Sequence, residues 1–104
     1  MKTSFFSKDK ISQVGFARCG KNVLINPKAS FYSPEKIELG NNVRIDGFCI
    51  LSGHIVLGNY IHIAAYSGLF AGEKIVIQNY ANISSRISIY AVSDSSSTVK
   101  GLIV

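Results

Sequence analysis

A chain of 104 residues is one domain at most, and a globule of that size has little core for its surface. Hydrophobic residues make up 47% and charged residues 16%, which excludes a wholly disordered chain. The formal charge of +5 comes from scattered lysines and arginines without a dense stripe, so nucleic acid is not an expected partner, and no apolar run reaches the roughly 20 residues of a membrane span.

The first 18 residues form a cap that carries no repeat. Ser7 is an N-cap, Lys8 to Val14 a short helix and Gly15 its stop. Ile11 and Val14, three apart, give it an apolar face to dock on whatever follows. Lys8 and Lys10 come after Phe5-Phe6, the reverse of a cleavable signal, so a cytoplasmic protein is expected.

From residue 19 to residue 94 the chain repeats. Leu39-Gly40-Asn41-Asn42-Val43-Arg44 and Leu57-Gly58-Asn59-Tyr60-Ile61-His62 are hexapeptides that open on an aliphatic residue, and such a period marks a solenoid. Cys19, Leu39, Leu57 and Ile77 align; six residues on, so do Ile25, Ile45, Ile63 and Ile83; six further, Phe31, Leu51, Leu69 and Ile89. Three inward ladders predict a three-sided prism whose coils stack at about 4.8 Å through parallel strands. Ala29, Cys49, Ser67 and Ile87 fill a further inward row, so both cysteines read as packing rather than as zinc ligands. Extra residues enter at one shared corner, in Ser33-Pro34-Glu35-Lys36 and in Ala71-Gly72-Glu73-Lys74. His54 falls in the shorter turn at that corner. Residues 95–104 are expected to be an irregular tail, and the prism would then end on an uncovered strand edge.

The repeats are similar to those of the left-handed parallel β-helix acyltransferases. Gly15-Phe16, Gly20-Lys21-Asn22-Val23-Leu24-Ile25 and Asn42-Val43-Arg44-Ile45-Asp46-Gly47-Phe48-Cys49-Ile50-Leu51-Ser52-Gly53 resemble, more closely, the nucleotide-sugar N-acetyltransferases of surface-polysaccharide biosynthesis, such as O-antigen biosynthesis. The resemblance implies an all-β, left-handed three-sided helix with a short N-terminal helix. It implies acetyl transfer from acetyl-CoA, without a metal, to the amine of a dTDP-linked amino-deoxyhexose in a cleft between the subunits of a homotrimer. It also implies that further coils normally follow, so that this chain is a shortened version.

Acyl transfer needs a group to take the proton of the nucleophile. Aligning the family's catalytic loop puts Asp94 at the position of the usual histidine. His62 shares an outward column with Arg44 and Asn82, and the inter-subunit cleft implied by the resemblance makes it a substrate-binding candidate. Tyr66 and Tyr90, near the corners, are candidates for stacking on a base or sugar. Two histidines do not supply the three zinc ligands of the γ-class carbonic anhydrases, which share the prism. The competing expectations are a solenoid that only self-associates and, since the repeats also resemble those of galactoside and maltose O-acetyltransferases, O-acetyl transfer to a plain sugar.

Overall fold

The computed structural model describes residues 5–92 and 101–104. Its one helix among them, α1 (Lys8–Val14), is capped as the sequence predicts: the Ser7 hydroxyl accepts from the Lys10 amide at 3.2 Å, and Gly15 takes the left-handed conformation at φ 89°. Ile11 is its buried residue and joins the core.

The strands are β1 (Arg18–Cys19), β2 (Leu24–Ile25), β3 (Ser30–Tyr32), β4 (Ile37–Leu39), β5 (Val43–Ile45), β6 (Ile50–Leu57), β7 (Ile61–Ile63), β8 (Gly68–Ile77), β9 (Asn82–Ile83), β10 (Ser88–Ala91) and β11 (Leu102–Ile103). All their pairings are parallel. One face stacks β2, β5, β7 and β9; a second stacks β3, β10 and the first halves of β6 and β8; a third stacks β1, β4, their second halves and β11. Hydrophobic side chains alternate inward along the interior strands such as β4, β5 and β7, and each interior coil adds one more layer to the same narrow core. Ile25, Ile45 and Ile63 are fully buried, as are Leu39, Leu57 and Ile77. Each such side chain contributes about 1.5–3 kcal/mol by leaving water.

The corners are held by the next coil. Asn41, Asn59 and Asn79 each accept, through Oδ1, the backbone N–H of Lys21, Asn41 and Asn59 on the coil before. A Cβ on Gly20, Gly40 or Gly58 would collide with that asparagine oxygen, which is why glycine follows the ladder position there. Ser67, the polar member of the inner row, donates to the Ser84 carbonyl at 2.8 Å and accepts from the Ile87 amide. Cys49 is buried, and its thiol donates to the Ala64 carbonyl at 3.1 Å.

Three expectations change. Cys19 pairs in register with Leu39 but is exposed, because β1 is the outermost strand of its ladder. Ile87, placed in the inner row, is also exposed. Residues 101–104 are not irregular: Leu102 and Ile103 pair with Ile75 and Val76, and the Gln78 amide donates to Val104 just as the Gly58 amide donates to Ile77. The aliphatic ladder thus resumes at Leu102.

Candidate active site

The best-ordered polar constellation lies on the outer surface of the β2–β5–β7–β9 face. Register puts Arg44 beside His62 and His62 beside Asn82, the outward column that alternation predicts. Two residues after Arg44 the chain turns, and Asp46 folds back over the column. Its Oδ1 accepts from Arg44 Nε at 2.8 Å and its Oδ2 lies 2.8 Å from His62 Nε2. Partial burial raises the Asp46 pKa; the hydrogen bonds and charges of Arg44 and His62 more than reverse that, and the net value lies below the ordinary carboxylate range. Arg44 also lies over the Phe5 ring, 5.3 Å from its centre, so the segment before α1 packs against the same column.

The two tyrosine candidates occupy other surfaces. Tyr66 sits at a left-handed corner position, stacked at 5.0 Å on Phe48, with Arg86 over its other side at 4.8 Å. Both of its ring faces are used by this ladder, and Lys28 continues it at Phe48. Tyr90 lies on β10, stacked at 4.8 Å on Phe70 and otherwise exposed. Asp94 lies outside the described residues. The three described candidates therefore do not form one cluster: His62, Tyr66 and Tyr90 lie on a face, a corner and the next face in turn. Sequence reading passed over Asp46, whose role depends on a turn folding back across coils. The alternation of Arg44 and Asp46 beside the His62 column was its available signal.

The solenoid has counterparts among known proteins. A dTDP-4-amino-4,6-dideoxy-D-glucose acyltransferase of Escherichia coli is 47% identical over 91 residues, which are 85% of this chain and 47% of that enzyme. AntD, an N-acyltransferase from Bacillus cereus solved with dTDP and 3-hydroxybutyryl-CoA, is 52% identical and superposes at a TM-score of 0.85 over 91% of this chain and 52% of its own. Its S84C variant, solved with dTDP-4-amino-4,6-dideoxyglucose and coenzyme A, is 51% identical with a TM-score of 0.85, over 92% of this chain and 52% of that one. This chain has the fold of the dTDP-amino-sugar N-acyltransferases. The fold is the left-handed parallel β-helix, as the repeats led one to expect. No protein-family model matches the chain. The chain spans about half the length of the curated relative and of the solved enzymes that it matches.

AntD has also been solved as variants at the same serine, S84T and S84A, and at an aspartate, D94A and D94N. The present chain has Ser84 and Asp94. Ser84 is exposed after β9. Its carbonyl, not its hydroxyl, is the group that packs the corner, so its side chain is not needed for the Ser67 contact. Sequence reading did not single it out, because a serine in a polar turn has many structural explanations.

Proposed function

We propose that this solenoid is the acyl-acceptor half of an acyl-CoA-dependent N-acyltransferase that acts on a nucleotide-linked amino sugar. The observation that carries the proposal is the combination of about 50% identity with such enzymes and the presence of Ser84 and Asp94, the same residue types, ten positions apart, as those varied in AntD. The sugar amine attacks the thioester carbonyl, the new C–N bond forms, and the C–S bond breaks to release the free thiol of coenzyme A. The proton lost by the amine passes to Asp94, which acts as base and orienter, and from it to the departing thiolate. The donor is an acyl-CoA, with acetyl-CoA as the specific donor proposed. The 3-hydroxybutyryl-CoA held by AntD makes a longer acyl chain the alternative to compare. Tyr90, exposed on β10, is proposed to line the acceptor site, whereas Tyr66 serves the corner ladder.

The remaining parts of the proposal come from the resemblance: a homotrimer with sites between subunits, in the cytoplasm, supplying surface-polysaccharide sugars. Sedimentation tests the assembly, and a stable monomer would remove the inter-subunit site. The decisive experiment measures thiol release from acetyl-CoA and 3-hydroxybutyryl-CoA with dTDP-4-amino-4,6-dideoxyglucose, for the chain and for Asp94→Asn. Loss of about a hundredfold in the variant is expected; equal rates would remove Asp94 from the chemistry. The competing reading is a self-associating solenoid without acyl transfer. Calorimetry that detects no acyl-CoA binding would select it.

A further inference from the structure

The net charge of the chain sits in its first quarter. Residues 1–28 hold six of the eleven lysines and arginines and one of the six acids, whereas residues 29–104 hold five of each. The whole formal charge of +5 therefore belongs to α1, the residues before it and the first two strands, and the rest of the chain is neutral in sum.

The fold keeps these residues at one end of the prism. β1 and β2 are the terminal strands of their ladders. α1 lies at the same end, with Ile11 in the core and the Phe6 amide donating to Ile25 as the Asn26 amide donates to Ile45 one coil on. Lys8 and Lys10 are exposed on α1, Arg18 on β1, Lys21 at the corner between β1 and β2, and Lys28 at the corner between β2 and β3. Lys2 lies outside the described residues. Glu38 lies 3.6 Å from Arg18, but among the described residues no carboxylate pairs with Lys8, Lys10, Lys21 or Lys28. Like charges gathered in this way repel one another, and a partner of opposite charge relieves the repulsion.

The surface around these cations decides which partner fits. Leu24 is the one exposed large hydrophobic side chain among residues 5–28, so a protein partner would find little apolar core to bury. The rings beside the cations are engaged: Phe48 lies between Lys28 and Tyr66, Phe16 edge-on against Phe31, and Phe5 against Arg44. They leave no ladder of free ring faces for successive nucleobases. A layer of anionic headgroups needs neither feature. It is planar, it attracts each lysine and arginine within a Debye length of about 10 Å, and it asks for no shape complementarity.

We propose that the amino-terminal end of the prism docks on an anionic bilayer surface, with Lys8, Lys10, Lys21 and Lys28 toward the headgroups and the later coils directed away. The contact is electrostatic and peripheral, and it does not depend on acyl transfer.

The 104-residue chain is sedimented with vesicles of phosphatidylcholine alone and of phosphatidylcholine with about one-third phosphatidylglycerol. Two double variants carry the same change in net charge. Lys10→Glu with Lys21→Glu alters the basic end; Lys74→Glu with Arg86→Glu alters exposed side chains on later coils. A melt checks that each folds, and the single changes Lys21→Glu and Lys74→Glu repeat the comparison if a pair does not. Binding to the anionic vesicles alone is expected, with release when salt is raised from about 0.05 M to about 0.5 M. The Lys10, Lys21 pair should weaken it at least about tenfold, and the Lys74, Arg86 pair by less than about threefold. No binding to anionic vesicles, or equal loss in the two pairs, overturns the proposal. Binding of a DNA duplex that is lost in the Lys10, Lys21 pair, without binding to vesicles, would assign this end to nucleic acid and overturn it as well.

Discussion

Asp46 shows how one side chain converts a surface column into an ordered group. It is mostly buried, while Arg44 and His62 are each more exposed, so its contribution to stability is that of a charge-assisted hydrogen-bond pair near the surface, on the order of 1 kcal/mol. Its folded pKa lies below the unfolded value of about 3.9. The contribution is therefore fully present above that value and is lost as pH falls through the lower, folded one. Asp46→Asn should lower the melting temperature at pH 7 by about 4–8 °C. The gap to the unaltered chain should narrow as pH falls below the unfolded value and close once the pH has passed the lower, folded one. A gap that persists unchanged in acid would show that the asparagine disrupts packing rather than charge. The two thiols separate by environment as well. Burial pushes the Cys49 thiol up, and the side chain is sealed between coils. Alkylation at pH 8 should modify Cys19 first and reach Cys49 only when the chain unfolds, as peptide mass mapping would show; equal rates would contradict the burial of Cys49.

At the scale of the element, the corner glycines and asparagines set the coil. Gly40 faces Gly58 and Asn59 so closely that an added Cβ has no room against backbone that cannot withdraw. Gly40→Ala should cost about 1–3 kcal/mol by overpacking, measured by urea unfolding. Asn59→Ala, which frees only the Asn41 amide at an exposed corner, should cost about 1 kcal/mol or less. If both cost the same, the contact at Gly40 is not what selects glycine. These corner roles explain how much was legible in advance. The inward ladders Ile25–Ile45–Ile63–Ile83 and Phe31–Leu51–Leu69–Ile89 repeat in sequence because each must fill the same slot, so fold and register could be read without coordinates. Ser7 and Gly15 were equally plain, since a cap is a local choice. β11 was hidden because residues 93–100 break the period before Leu102 resumes it. The candidate site was legible only as far as columns reach: His62 beside Arg44 follows from register, whereas Asp46 reaching both follows from a turn. The φ > 0 turn at Tyr60 and Tyr80 also places two large rings where turn residues are expected to be small.

Over the whole molecule, stability should follow position along the prism axis. Each coil contacts only its neighbours, as in other solenoids, so an interior coil is held from both sides and an end coil from one. β6 and β8 form the longest parallel pair, run around a corner without a break in chain, and bury Leu51, Ile55, Leu57, Leu69, Ile75 and Ile77 between them and the adjoining strands. β1 and β2 lie at one end of their ladders, β9, β10 and β11 at the other. The amino-terminal end has a partial cover in α1 and in the Phe6 amide, which donates to Ile25. At the other end Ile103 and Val104 remain exposed beside β8. Local opening is therefore cheapest at β9–β11, next at β1–β2, and dearest at β6–β8. Native-state hydrogen exchange should follow that order, with the amides of Leu69 and Ile77 among the slowest and those of β10 among the fastest. A uniform rate through all coils would mean that the prism opens only as a unit, and would remove the argument that its end coils are held from one side alone.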